Sequence, residues 1–377
     1  MSLRSSGWSG PLGVEGRHLV RDEAPLVTLV VLYVAASWLA GAAFGLPVTL
    51  RLTLSSLLGA AGFALLVTAI FVASYLIVFA FQKGLGLRKR GAPGSSGRPT
   101  ADWSLLWRTD LRPSRVAGLF VAYLVLVPFM DAFVGFKAAI PAIQPFGWDP
   151  ALMELDRMLH FGHHPWQLLQ PILGHAPLTK AVDSLYYAWF VVLALTLIWQ
   201  GWSRERMLRA QFFVSYAVMW IVLGTVAATA LSSAGPCYYG RVVGTPDPFA
   251  PLMGYLSGVD ESYPLIALRI QSYLWEGYAS PTGQAVAGIS AMPSLHVAMP
   301  VLFALLGWRT HRWLAIAYTS YLFVVLVGSV HLGWHYAIDG YASIIAVPLI
   351  WKGSGAAVAW YYRRIGGWAE GPGPVAV

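Results

Sequence analysis

Long apolar blocks alternate with short polar stretches along the chain. Blocks with little or no charge fall at roughly 26–44, 54–81, 116–134, 184–200, 211–231, 292–308, 313–330 and 335–351. A helix needs about 20 mostly apolar residues to cross the hydrocarbon core of a bilayer. The blocks have that length and are too long for strands. The pattern predicts an all-α integral membrane protein with about eight transmembrane helices. The sixth block is at the short end of the range, and the second is long enough to tilt or extend beyond the bilayer. No typical short signal n-region precedes the first, which is expected to be an anchor and not a cleaved peptide.

Composition strengthens this picture. Of 377 residues, 57% are hydrophobic and 11% are charged, whereas a soluble domain carries about 25% charged residues. A soluble enzyme and a disordered chain are both excluded. The net charge of +8 does not imply nucleic acid, because the Lys and Arg sit in short clusters between apolar blocks and not on one basic face. They set topology instead. With a cytoplasmic N-terminus, the outside segments hold only Arg51, Lys137, Arg157, Lys180, Arg241 and Arg269 of the 25 Lys and Arg. The positive-inside rule selects that arrangement and makes both termini cytoplasmic. The expected location is a bacterial inner membrane with a periplasmic face, although a eukaryotic lumen fits such loops equally well. A lone cysteine, Cys237, excludes an intrachain disulfide and a multi-cysteine zinc site.

The stretch Gly84–Thr100 is rich in Gly, Ser, Pro and Arg and has the composition of a flexible cytoplasmic linker. It suggests a two-span prefix over 1–82, a basic linker over 83–115, a six-helix core over 116–351 and a cytoplasmic tail over 352–377. Two outside segments exceed a simple turn. In the first, about 135–183, Asp149 is placed to cap a helix with Pro150 at its first position. Leu152, Leu155, Met158 and Leu159 then share one face, which suggests a helix in the membrane interface or over a site. The second, about 232–291, is long enough to cap a pocket.

Titratable groups inside apolar spans are costly and mark functional candidates. His296 begins the sixth span, His331 and His335 follow the seventh, and Asp339 lies one turn into the eighth. On the expected topology all lie near the outer surface. His335 and Asp339 are four apart, hence within reach on a helix. A carboxylate that accepts Nδ1–H leaves Nε2 as a lone-pair nucleophile or base. His296 is then available to protonate a leaving oxygen. Pro293 and Ser294 stand at a helix start, where backbone N–H groups and a hydroxyl suit phosphate. The combination fits phosphoryl transfer through a phosphohistidine.

At these residues the chain resembles the type 2 phosphatidic acid phosphatase superfamily. Pro293-Ser294-Leu295-His296 matches its P-S-x-H motif. His335 and Asp339 match the end of S-R-x5-H-x3-D, with Gly328 and Ser329 in place of S-R. Lys137 to Gln144-Pro145 has the spacing of K-x6-R-P, with Gln for Arg. The resemblance covers about 116–351 and implies a six-helix catalytic core. It implies His335 as nucleophile, Asp339 as its orienting partner and His296 as general acid. Lys137 and Ser294 would hold phosphate, and no metal takes part.

Both phosphate-clamping arginines are thus replaced. A phosphomonoester approaches a dianion and suits bidentate arginine; a phosphodiester carries one charge and needs less. The replacement tilts the expectation towards a head-group phosphotransferase, similar to the inositol phosphorylceramide synthase branch. Its donor would be a phospholipid and its acceptor a lipid alcohol, with an inositol-phosphate-like group moved between them. A lipid phosphate phosphatase on the same site is the alternative, and a transporter with a His/Asp proton relay is a more distant one.

Further substrate-binding candidates are His331, Arg241 and Asp149. Arg241 is placed to supply positive charge, and Asp149 to hydrogen-bond a polyol if it does not simply cap its helix. His331 and His335 have H-x3-H spacing, but Leu332 stands where a zincin needs Glu, so His331 is expected in a wall or hydrogen-bonding role. No G-x4-G-K-[ST] or G-x-G-x-x-G loop occurs, and no cofactor is expected.

Overall fold

The computed structural model describes residues 11–44, 54–84, 111–280 and 288–365. The linker expected after Gly84 lies outside the described residues. Among those residues every element is helical. The long helices are α1 (Pro11–Phe44), α2 (Leu54–Gly84) and α3 (Pro113–Ile143). The shorter α4 (Asp149–Leu159), α5 (Pro165–Leu173) and α6 (Ala176–Tyr187) follow. Next come α7 (Trp189–Gly201) and α8 (Arg206–Ile221), the latter continuing through a π-helical stretch (Val222–Ala227) to Ala230. Then follow α9 (Ala250–Asp260), α10 (Ile266–Ala279), α11 (Leu295–Trp308), α12 (Arg312–His331) and α13 (Ala337–Arg364).

Seven segments are long and apolar enough to cross a membrane, α6 and α7 together forming one of them; α11 is a shorter apolar helix of 14 residues. The protein is an integral membrane protein. Leu39, Leu65, Ile77, Val191, Phe323 and Ile345 are exposed apolar side chains on these segments, as expected of helices that face lipid. The interior is filled by Phe129, Phe212, Phe213, Met219 and Phe303.

The core helices meet through small residues. A Cβ on Gly307 would come within 2.8 Å of the Ala315 Cα, so α11 and α12 approach backbone to backbone. Gly340 likewise lets α13 close on Leu326 and Val297. Helix α1 packs on α3 and α8. The buried Arg209 of α8 explains part of this, because it pairs with Glu23 and donates to the carbonyls of Gly118 (3.0 Å) and Gly201 (3.3 Å). Arg206 forms a two-pronged pair with Asp22 at 2.6 Å, and Tyr362 donates to the same carboxylate. A guanidinium with several donors suits such convergence.

One expectation needs correction. Helix α4 buries Leu152 with Asp149 and Asp156, while Leu155, Met158 and Leu159 of the expected apolar face are exposed. Its two carboxylates direct the inward edge because backbone N–H groups from other segments await them. Asp149 is not an N-cap, since Trp148 occupies that position. Asp149 is fully buried and saturated. Its Oδ1 accepts from Ser233 Oγ (2.9 Å), Gly235 N–H (2.8 Å) and the Tyr336 hydroxyl (3.0 Å), and Oδ2 from Ala234 N–H (2.9 Å). The carboxylate clamps the 233–235 segment beneath the turn that carries His335. Asp149→Ala leaves these buried donors without a partner and should cost about 3 kcal/mol or more. Thermal unfolding of the detergent-solubilised protein checks this.

Candidate active site

Three helix ends and one turn build the site. Helix α11 starts at Ser294, which caps it by accepting from the Val297 N–H at 3.3 Å. His296 therefore lies on the first turn. Helix α12 stops at His331 because the chain turns over at Gly333, with φ +73°. That turn folds Trp334 and His335 back, and their N–H groups both donate to the Ser329 carbonyl, at 2.9 and 3.1 Å. A side chain at Gly333 would be strained in this left-handed conformation. Helix α13 then begins and carries Asp339.

His335 donates from Nδ1 to Asp339 Oδ2 at 3.2 Å, and the same oxygen accepts from the Tyr336 N–H at 3.1 Å. The carboxylate fixes the tautomer and leaves Nε2 with its lone pair. Asp339 is fully buried and His335 nearly so. The His296 ring lies 6.3 Å from that of His335, centroid to centroid, with the planes at 50°. One phosphate group bridges such a gap, with contacts of about 3 Å on each side. His296 is held by aromatic neighbours: it stacks on Tyr186 at 5.1 Å and 15°, and lies 4.8 Å from Trp189. The Trp189 indole N–H donates to the His296 carbonyl at 3.1 Å.

Lys137, near the end of α3, completes the cluster, and its charge acts on both imidazoles. The chain entering α11 packs hard on it; a Cβ at Gly288 would collide with the Lys137 carbonyl. Ser294 is fully buried, and its N–H donates to the Asp339 carbonyl at 3.2 Å. Ser343 Oγ donates towards the carbonyls of Ser294 (2.9 Å) and Asp339 (3.1 Å). These bonds stitch α11 to α13, so Ser294 has a connecting role beside the expected phosphate contact.

The remaining candidates lie elsewhere. His331 is buried with Nε2 on Thr179 Oγ1 at 2.9 Å, and that hydroxyl also meets Tyr255 at 2.7 Å. A bond to α6 thus takes up the ring's Nε2, while the buried Nδ1 has no partner among the described residues. Arg241 lies over the Trp275 ring at 5.0 Å and is exposed. Asp149 has no oxygen left for a polyol, being occupied as described above. Gln144, in the place of one family arginine, is exposed. Ser329, in the place of the other, is buried with its hydroxyl turned back onto the Leu326 carbonyl at 2.8 Å. Among the described residues, no three His, Cys, Asp or Glu side chains gather as a metal site.

Sequence reasoning missed Tyr186 and Trp189, whose apolar character gave no signal beyond a span. It also missed Asp156, whose carboxylate accepts from the N–H groups of Ala337 (3.0 Å) and Ile338 (3.1 Å) at the start of α13. Burial raises the Asp156 carboxyl to about 6, against the pull of those N–H groups. A buried carboxylate seven residues after Asp149 on one helix was the available clue.

Burial, assisted by the Lys137 charge, lowers His335 from the ordinary 6.5 to about 3. The ring is a neutral nucleophile at neutral pH. As pH falls below about 6.5, the unfolded chain takes a proton at this position that the folded chain refuses until about 3. Falling pH therefore favours unfolding, by about 1.4 kcal/mol per unit within that window. His335→Gln should remove this component, so wild type loses stability relative to the variant between those values. Thermal unfolding of both proteins across pH checks the sign.

These features define a class: a membrane-embedded enzyme with a paired-imidazole, carboxylate-oriented centre suited to phosphoryl transfer. The model of the PAP2 superfamily matches residues 150–352. The match covers more than half of the chain, which belongs to that superfamily and is an enzyme of its phosphatase/phosphotransferase type. No curated protein and no solved structure matches the chain.

Proposed function

We propose that the protein is a lipid head-group phosphotransferase, of the kind represented by inositol phosphorylceramide synthases. It moves a phosphorylated polyol from a phospholipid to a lipid hydroxyl. His335 Nε2 attacks phosphorus in line, and the P–O bond to the donor lipid breaks. His296 gives its proton to the departing alkoxide. His296 then takes the proton of the acceptor hydroxyl, whose oxygen attacks the phosphohistidine and frees His335.

The observation that carries this reading is the charge balance of the site. Two imidazoles and a buried carboxylate share one lysine, Lys137, while the positions of both family arginines hold an exposed Gln144 and an inward-turned Ser329. One cation suits the single charge of a phosphodiester better than the near-dianion of a monoester. Positive-inside topology places this end of the bundle outside the cytoplasm, with both termini inside. In this reading the catalytic core spans 116–351, and the two preceding spans are a separate membrane prefix.

The test supplies vesicles with phospholipid labelled in the phosphorylated head group, with and without a long-chain lipid alcohol. Label in a new lipid, dependent on that alcohol, supports the transferase. Release of inorganic phosphate alone, from monoesters only, overturns it in favour of a lipid phosphate phosphatase.

A further inference from the structure

Resting on the nucleophile assignment above, we infer that Asp156 is a positioning residue that sets His335 and Asp339 through the first turn of α13. Its two oxygens divide the work, Oδ2 accepting from the Ala337 N–H at 3.0 Å and Oδ1 from the Ile338 N–H at 3.1 Å. These two residues lie between His335 and Asp339 in the chain. The carboxylate comes from a helix about 180 positions earlier and is nearly fully buried.

The start of a helix leaves backbone N–H groups without partners, and an oxygen acceptor nearby fixes the chain direction there. In α13 the local acceptor, Asp339 Oδ2, already serves His335 and the Tyr336 N–H. The next two N–H groups fall to Asp156. Without it, the two N–H groups between the imidazole and its carboxylate lose their acceptor, and the turn is held only at its ends, by Tyr336 on Asp149 and by the Asp339 carbonyl on Ser294. A second contact from the same helix fits this role. His160, four residues on, donates from Nδ1 to the Asp156 carbonyl (2.6 Å) and lies 3.0 Å from the Tyr341 hydroxyl of α13. Helix α4 thus holds the first two turns of α13 at points one turn apart on each helix.

A positioning role predicts a loss in the chemical step and not in binding, because misplacing reacting groups by a fraction of an ångström slows attack while the lipid pocket persists. Asp156→Asn keeps the shape and one acceptor oxygen but sets an amide donor against a helix N–H. Its kcat should fall about tenfold with KM within twofold. Asp156→Ala should lose about a hundredfold in kcat, again with KM little changed. Both are assayed as full-length protein in mixed micelles, beside wild type and His335→Ala. If the alanine variant fails to fold, the asparagine variant decides by the same criterion. A folded variant with wild-type kcat, or a loss that appears in KM instead of kcat, overturns the inference while His335→Ala remains inactive. Turnover by His335→Ala overturns the underlying assignment instead.

Discussion

His335→Ala is expected to abolish turnover, by at least about 10⁴-fold, or some 5.5 kcal/mol of barrier. The Nε2 lone pair is the nucleophile of the proposed step; His160 also stands four residues from a buried carboxylate, Asp156, but both of its ring nitrogens are engaged, on the Asp156 carbonyl and the Tyr341 hydroxyl. Asp339 Oδ2 would still accept from the Tyr336 N–H, so the helix start is not stripped of its acceptor. The substitution therefore separates chemistry from folding better than a change at Asp339 would. Head-group transfer assayed in mixed micelles, beside a thermal unfolding curve for each protein, is the measurement. A folded alanine variant with wild-type turnover would sink the mechanism.

His296→Ala is expected to lower turnover by about 10²–10⁴-fold, the usual contribution of a positioned general acid or base. Two consequences distinguish this from general damage. The covalent phosphoenzyme should accumulate, because its breakdown needs the base that activates the acceptor. The deficit in the first step should also shrink for a nitrophenyl phosphodiester, whose leaving oxygen departs without a proton. Rapid quench and acid-labile label on the protein read the first, and the burst rate with the nitrophenyl donor reads the second. An equal deficit for alkyl and nitrophenyl donors would remove the acid role. His296 is not free to swing, since Tyr186 stacks on one face and Trp189 holds its backbone carbonyl. The loss should therefore follow from the missing imidazole and not from collapse of a mobile loop.

Several features were legible in the chain because they are written at short range. A span needs only an uninterrupted apolar length, and seven helices, with the shorter α11, occupy the blocks that the hydropathy pattern marks. The expected 184–200 block proves to be the second half of an α6–α7 pair with its break at Ala188, since apolarity alone does not mark where a helix bends. The His335–Asp339 contact follows from i,i+4 spacing near a helix start, and the structure has it at 3.2 Å. Spacing to Gln144-Pro145 marked Lys137, whose charge acts on both imidazoles.

Asp149 shows where this kind of reasoning stops. Local sequence offered a capping role, yet its four partners lie more than 80 residues away. Asp183 behaves alike, accepting from the N–H groups of Ile266 and Ala267 at 2.9 Å to start α10. The same holds for His331, whose ring turns to Thr179 on another helix.

The sequence by itself determined that this protein lives in a bilayer, where its spans run, and that His335 has a carboxylate one turn away. These depend on length and periodicity along one segment. The tertiary structure alone decided that His296 meets His335, that Tyr186 and Trp189 frame it, and that Asp149, Asp156 and Asp183 anchor distant helix starts. The physical reason is that a buried carboxylate seeks any unpaired N–H within reach, and chain folding, not chain order, decides which ones those are.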